Sequence, residues 1–176
     1  IESPLPPLWV AQASAPAAKL EQVVRQCTEL GASGILIFVA ARCKSESKKK
    51  QSRRLERLSR IAEDAARQSG RYALPKITEA PSFSEIVSIC EEFEGLSVFG
   101  APDGDTTLST LLVSRAQDLE RGYLFVNGPE GGLTQEEKKA LQEVGTHPIR
   151  LGPYVMRTET APAVGLAVAQ GALGQM

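Results

Sequence analysis

Four residues with special backbone properties surround one acid in the segment NGPEGG, which runs from Asn127 to Gly132 and follows an apolar run. Glycine lets backbone N–H and C=O groups come close to a ligand, and a helix that starts just after the segment adds N–H groups without helical partners. The segment lacks the lysine of the phosphate-binding motif GxxxxGK[ST] and the spacing of GxGxxG. It favours a flat, polar ligand such as adenine, held by main-chain hydrogen bonds. A ligand-free turn from strand to helix is the alternative.

Two more glycine-containing segments follow apolar runs, FGAPDGD at 99–105 and LGPYVMRTET at 151–160. The runs before them are typical of buried parallel strands, and the ligands of parallel sheets bind beyond the carboxyl ends of the strands. If the three strands are neighbours, the three segments meet at one edge of the sheet. That arrangement favours a ligand site over three plain turns.

The chain has few histidine and cysteine residues that could bind a metal, form disulfides or act in nucleophilic catalysis. His147 is the one histidine, and a structural role is expected because it lies away from the three segments. A histidine metal site or a Ser-His-Asp relay therefore has little to work with. Cys27, Cys43 and Cys90 are far apart, odd in number and without CxxC spacing, which argues against a disulfide framework and a zinc site. We expect no metal and a reducing compartment, which is the cytoplasm, or an organelle matrix in a eukaryote.

The elements that position these segments alternate along the chain. Strands are predicted at 8–14, 34–40, 72–77, 96–100, 123–128 and 147–152, and helices at 19–31, 55–70, 82–93, 107–116, 134–145 and 158–173. The alternation indicates one α/β domain over residues 1–176, with a parallel sheet flanked by helices. Thr134 and Glu137 have the spacing of a capping box, as do Ser82 and Glu85. No apolar stretch has the length of a membrane span, so no membrane partner is expected.

The net charge of the chain is −1, but its charged residues are unevenly distributed and one segment is strongly basic. Between Arg42 and Arg60, nine residues are basic and two are acidic, a net charge of +7, whereas the remainder has eleven basic and nineteen acidic residues, or −8. Its first part, RCKSESKKKQSRR, is predicted to be a mobile loop. The segment fits phosphate contacts with an anionic partner, or an ordinary solvated face. Aromatic residues make up only 5% of the chain, so base stacking is not expected to dominate.

Two longer motifs carry a family resemblance. NGPEGGLTQEE, followed after a strand by LGPYVMRTETA, closely resembles the signature of the 16S ribosomal RNA uracil-N3 methyltransferase family of the SPOUT superfamily. Upstream, TELGASGI resembles the family's ELGV segment and AARQSGR resembles its AAEQSGR segment. The resemblance spans about Leu8 to Ala169, in the family's order. It implies a C-terminal trefoil-knotted region that binds S-adenosyl-L-methionine, a ribosomal RNA substrate and a homodimer.

The resemblance also implies roles for individual residues. Those expected at the cofactor are Phe99, Gly100, Asn127, Gly128, Pro129, Gly131, Gly132, Leu151, Gly152, Met156, Thr158 and Thr160. Arg157 and Glu130 are the catalytic candidates. A cation at Arg157 could stabilise a uracil oxyanion or hold a phosphate, or could pair with Glu130 or Glu159 to fix the loops. RNA contacts are expected from Arg42, Lys48, Lys49, Lys50 and Arg71, although Arg71 could instead sit at a helix end.

The sequence departs from the family in three places. The family's N-terminal RNA-binding barrel is absent from this chain, so we expect the chain alone to bind RNA weakly and to methylate poorly. Gln26 stands where the family has a basic residue in KATELG, and Tyr154 where an arginine often follows LGP. Both changes remove positive charge on the expected substrate side. They favour an alternative function, a catalytically weak or inactive RNA-binding or ribosome-assembly module. A Rossmann-like nucleotide binder is a third hypothesis, against which the missing GxGxxG counts.

Overall fold

Six parallel strands form one sheet in the computed structural model, which describes residues 5–44, 46–80 and 82–176. The sheet order is β3-β2-β1-β5-β4-β6. The strands are β1 (Leu8–Ala13), β2 (Gly34–Phe38), β3 (Lys76–Ala80), β4 (Leu96–Gly100), β5 (Tyr123–Asn127) and β6 (His147–Ile149). The predicted parallel sheet is confirmed, and the three strands that precede the glycine-containing segments, β5, β4 and β6, are neighbours.

Helices cover both faces of the sheet. They are α1 (Ala17–Glu29), α2 (Lys48–Ser69), α3 (Phe83–Glu92), α4 (Leu108–Ser114), α5 (Ala116–Arg121), α6 (Gln135–Glu143) and α7 (Ala161–Ala172). Side chains from α1, α2, α4, α5 and α7 form one core cluster with the sheet, and side chains from α3 and α6 form a second. Neighbouring strand residues alternate between the clusters, as Val10 and Ala11 do, which explains why the strands are apolar at successive positions.

Local signals set several helix ends as predicted. The Thr134 hydroxyl accepts a hydrogen bond from the backbone N–H of Glu137, and the Glu137 carboxylate accepts one from the Thr134 N–H, so the capping box of α6 is confirmed. Helix α2 ends at Gly70, which has a φ of 71°. Pro162 lies in the first turn of α7, where its missing N–H costs nothing.

Three sequence predictions are wrong in their bounds. The loop predicted over 42–54 becomes helix α2 from Lys48 onward, because Ser47 caps the helix by accepting from the Lys50 N–H; Ser45 lies outside the described residues. The strand predicted at 72–77 begins only at Lys76, which pairs with Gly34 at the start of β2, so the residues before it have no strand to pair with. The last strand ends at Ile149, and beyond it only Arg150 bridges to Thr107.

Candidate active site

A cavity of about 620 Å³ lies at the carboxyl ends of β4, β5 and β6. Its volume is typical of small-molecule sites, which measure roughly 300–1,000 Å³. The three glycine-containing segments meet here, as expected if their strands are neighbours. Of the predicted site residues, those that line the cavity are Gly100, Asn127, Gly128, Pro129, Glu130, Gly132, Leu151, Gly152, Met156, Arg157 and Thr158.

Three predicted cofactor residues lie outside this lining. Phe99 is buried in the core cluster that α3 and α6 cover. Gly131 lies on the surface beside Arg42, and Thr160 is the exposed residue that precedes α7. Successive residues of a strand face opposite sides of the sheet, which explains why Phe99 is buried in the core whereas Gly100, the next residue, reaches the cavity.

Two glycines of the cavity wall could not be replaced by a larger residue without strain. A Cβ on Gly128 would lie 3.0 Å from Cγ of Leu133, closer than side chains normally approach. Gly132 has a φ of 72°, in the left-handed region that other residues rarely adopt. Their backbones therefore form a cradle that a side chain at either position would distort. Apolar groups complete the wall, namely Leu133, Ile149, Leu151, Met156 and Ala161.

A buried polar network ties two of the loops to the centre of the sheet. Gln12, at the end of β1, donates to the Thr158 hydroxyl over 3.1 Å, and Asn127 donates to Gln12 Oε1 and to the Thr158 carbonyl, each over 2.7 Å. The Thr158 hydroxyl donates to the carbonyl of Gly128 over 2.9 Å. Gln12 is fully buried, and sequence reasoning missed it because an isolated glutamine in a strand gives no motif.

Lys19 links the two acids of the motif loops. Its ammonium forms an ion pair with Glu130 and lies 3.5 Å from Glu159 Oε2. A hydrogen bond from the residue's own backbone N–H lowers the pKa of Glu159, and Lys19 lowers it further. Lys19 lines the cavity, although the sequence offered no sign of it. The ion pair to Glu130 and Glu159, considered as the alternative role of Arg157, is made by Lys19.

Two guanidinium groups of the cavity form no salt bridge in the described part of the chain. Arg157 is exposed and lies beyond salt-bridge distance of every described acid, although its charge helps to lower the pKa of Glu159. Arg150 also lines the cavity, and its buried Nε has no hydrogen-bond partner in the described part of the chain. The cavity thus combines a glycine-lined, apolar wall with two cations that are free to receive an anionic or oxyanionic ligand.

The basic segment has an interior part and an exposed part. Arg54 is held by Glu79, Glu46 and Ser14, and so does not present a free charge. Lys48 and Lys49 are exposed. Lys50 is also exposed, although it lies 3.2 Å from Glu46.

Two of the predicted RNA-binding arginines make contacts within the protein. The side chain of Arg42 donates to the carbonyl of Gly131, so this end of the basic segment touches the GPEGG loop. Arg71 donates to the carbonyls of Thr28 and Ala32 over 2.7 Å and 3.0 Å. These bonds secure the end of α1, which is the structural alternative considered for Arg71.

The other described groups whose pKa is shifted lie outside the cavity lining. Burial, followed by the charge of Arg115, lowers the pKa of His147, and the buried thiols of Cys27 and Cys90 have raised pKa values. Among the residues described, no three His, Cys, Asp or Glu side chains cluster as a metal site would require. None of the described helices is long and apolar enough to cross a membrane.

Comparison with known proteins agrees with this geometry. Residues 2–170 match the RNA methyltransferase domain family. The chain belongs to this family. It is 35% identical over 167 residues to the ribosomal RNA small subunit methyltransferase E of Bacillus subtilis, and 33% identical over 171 residues to that of Mycobacterium tuberculosis. These alignments cover 91% and 96% of the chain but 64% and 63% of the relatives, so the chain spans slightly less than two thirds of their length. The predicted resemblance to a ribosomal RNA methyltransferase family is confirmed.

Solved structures show the same fold. A protein of Legionella pneumophila, solved in complex with the cofactor S-adenosylmethionine, superimposes with a TM-score of 0.84 at 28% identity, covering 95% of this chain and 66% of that one. The ribosomal RNA small subunit methyltransferase E of Neisseria gonorrhoeae, also bound to S-adenosyl methionine, gives a TM-score of 0.79 at 25% identity, covering 97% of this chain and 68% of that one. A SpoU methyltransferase of Streptomyces viridochromogenes shares the fold at 15% identity with a TM-score of 0.57.

Proposed function

We propose that this chain is an S-adenosylmethionine-dependent methyltransferase domain that acts on N3 of a uridine in small-subunit ribosomal RNA. One observation carries the proposal: the motif residues of three separate loops line a single cavity at the ends of β4, β5 and β6. Two similar solved proteins hold the same cofactor. The uridine, its N3 atom, and the knotted topology come from the motif resemblance alone.

The cavity residues fit this cofactor. The cradle at Gly128 and Gly132 lets the main chain come close to a ligand, and a side chain at either position would distort it. The main-chain N–H groups of Leu151 and Met156, which donate to no group of the described chain, are available to the polar edge of adenine, and Leu133 and Ile149 can cover its faces. S-adenosylmethionine, when bound, supplies a methyl group on a positively charged sulfur.

Side chains of the cavity can stabilise the charge that develops on the uracil ring and can orient the bound ligand. Uracil N3 carries a proton at neutral pH, and its loss leaves negative charge on the ring oxygens. Arg157, exposed and without a salt bridge to any described acid, is suited to stabilise that charge, which would favour loss of the proton to solvent. N3 would then accept the methyl carbon as its bond to sulfur breaks, and the sulfur would keep that electron pair and leave as S-adenosylhomocysteine. Lys19 holds Glu130 at the cavity, so Glu130 orients the GPEGG loop and the ligand's polar groups.

The reaction can be tested by incubating the protein with cofactor that carries an isotope-labelled methyl group and with small-subunit ribosomal RNA. Mass spectrometry of the digested RNA is expected to show N3-methyluridine. Arg157→Met should abolish most of the product and leave cofactor affinity unchanged. Methylation at another nucleoside would contradict the proposed target. Cofactor binding with no product would favour the alternative, a weak or inactive RNA-binding or ribosome-assembly module.

Of the two substitutions that depart from the family pattern, only Tyr154 bears on the cavity. Tyr154 is part of its lining, whereas Gln26 lies half-buried on α1 outside it. The loss of a basic residue at Gln26 therefore does not alter the cofactor site, which supports the enzyme over the inactive module. A cytoplasmic location also remains a prediction.

A homodimer that uses α7 is part of the same proposal. This helix is apolar on nearly all sides, and Ala163, Val164 and Ala167 remain partly accessible, as does Val168, which also packs against the core. Light scattering is expected to give the mass of two chains at micromolar concentration. A monomer at that concentration would contradict the dimer.

A further inference from the structure

Tyr154 holds an aromatic ring in solvent at the mouth of the cavity. Its exposure is 85%, and the next residue, Val155, is 77% exposed. Both line the cavity, and Tyr154 is the single aromatic residue among the lining residues. No described protein group covers the ring, so its apolar faces are open to a ligand.

Cations lie in the same wall. Arg157 follows Tyr154 by three residues and is exposed without a salt bridge to any described acid, and Arg150 presents an Nε that no described group meets. An open aromatic face combined with unpaired guanidinium groups is the pattern by which proteins hold unstacked nucleotides, since the ring stacks on the base while the cations meet phosphate or carbonyl oxygens. The charge of the site therefore suits RNA better than it suits an apolar protein surface.

A base that enters this cavity must first leave its own stack. Removing a base from the stack costs a few kcal/mol, and enzymes that modify bases recover part of that cost by stacking the base on aromatic or apolar side chains. The cavity itself offers aliphatic and glycine surface, so Tyr154 is the one described side chain of its lining that could supply an aromatic stack.

We propose that Tyr154 stacks on the target base of the substrate RNA at the mouth of the cavity, and that it binds substrate without contributing to cofactor affinity. The inference rests on the proposed function and identifies a substrate-binding residue within the same site. The low aromatic content predicts that base stacking does not dominate RNA binding. In agreement with that prediction, the proposed stacking involves one tyrosine and not several aromatic residues.

The test compares three single variants. Tyr154→Leu keeps an apolar side chain but removes the ring, Tyr154→Phe keeps the ring, and Tyr72→Leu makes the same change at a fully exposed tyrosine before the amino end of β3, at the opposite edge of the sheet. The probe is a fluorophore-labelled oligouridine, measured by anisotropy in saturating S-adenosylhomocysteine. A second oligomer carries an abasic residue at its centre. The affinity of each variant for S-adenosylhomocysteine is measured separately by calorimetry.

Tyr154→Leu is expected to weaken oligouridine binding by about 5- to 150-fold, the ratio that corresponds to ~1–3 kcal/mol of stacking per base. Tyr154→Phe and Tyr72→Leu should stay within about 2-fold of the parent. The parent should prefer the oligouridine over the abasic oligomer, and Tyr154→Leu should lose that preference, because the ring and the base are the two partners of one interaction.

Two outcomes would overturn the inference. One is an oligouridine preference over the abasic oligomer that Tyr154→Leu leaves unchanged. The other is a parallel loss of affinity for S-adenosylhomocysteine, which would place the ring on the cofactor. Failure of the proposed function looks different: the parent would bind RNA and cofactor yet transfer no methyl group, and the anisotropy comparison would still decide the role of Tyr154.

Discussion

At the scale of single residues, the two last glycines of GPEGG have different surroundings. Gly132 lines the cavity at a φ of 72°, so Gly132→Ala forces an L-residue into the left-handed region at a cost of about 1–2 kcal/mol. The GPEGG loop should shift and weaken S-adenosylhomocysteine binding by roughly ten-fold. Gly131→Ala is the control, because its Cβ would meet only the flexible Arg42 side chain, at 3.2 Å. Calorimetry that finds equal losses for both variants would contradict this account of the cradle.

A second residue-scale prediction concerns Lys19 and the buried carboxyl of Glu159. A carboxyl with a lowered pKa stabilises the fold above its ordinary pKa, and that stability is lost as the pH falls through the folded-state value. Lys19→Met should raise the pKa of Glu159, so acid unfolding should begin at a higher pH than in the parent. Lys19→Arg keeps the cation and should unfold like the parent. Circular dichroism during an acid titration measures both, and an unchanged midpoint in Lys19→Met would argue against the ion pair.

The sequence predicted some site residues and missed others for a physical reason. The glycines of GPEGG could be found because their backbone properties act within the segment itself. Lys19 and Gln12 could not, since their partners Glu130 and Thr158 lie 111 and 146 positions away along the chain. Only the order of the strands brings such pairs together, and that order does not follow from local patterns.

At the scale of elements, Thr158 joins β1, β5 and the loop before α7 through one hydroxyl. Thr158→Val keeps the shape but leaves the Gly128 carbonyl and the Gln12 amide short of partners. We expect the free energy of unfolding to fall by about 1–3 kcal/mol in urea titrations, and cofactor affinity to fall with it. Thr160→Val makes the same change at an exposed residue whose side chain makes no cap bond, and should cost less than about 0.5 kcal/mol. Equal effects would show that the network does not hold the loops.

The bounds of α2 show where local patterns fail for elements. Polar composition alone suggests a loop over 42–54, yet lysine, arginine and glutamine are good helix formers. Ser47 supplies the cap, and Arg54 reaches Glu79 on β3 over 2.7 Å, which anchors the first turns of the helix to the sheet. The cap is visible in the sequence, whereas the anchor at Glu79 depends on the tertiary fold.

At the scale of the whole molecule, the basic segment is expected to bind RNA through its exposed lysines. Replacing Lys48, Lys49 and Lys50 together with Gln should weaken binding to all RNA sequences alike. It should also flatten the slope of log affinity against log salt by about 0.7 for each lost contact on single-stranded RNA. Lys139→Gln, an exposed lysine on α6, is the control. If the triple variant keeps the parent's affinity and salt slope, the segment is only a solvated surface.

We predict that the three glycine-containing segments form one cofactor site, which a calorimetric titration of the protein with S-adenosylhomocysteine can test. We expect saturable binding of about one ligand per chain, together with a melting temperature that rises with ligand concentration, as mass action requires for a ligand of the native state. Binding should weaken in Gly132→Ala and persist in the triple lysine variant. No heat of binding and no shift in melting temperature at millimolar S-adenosylhomocysteine would contradict the claim.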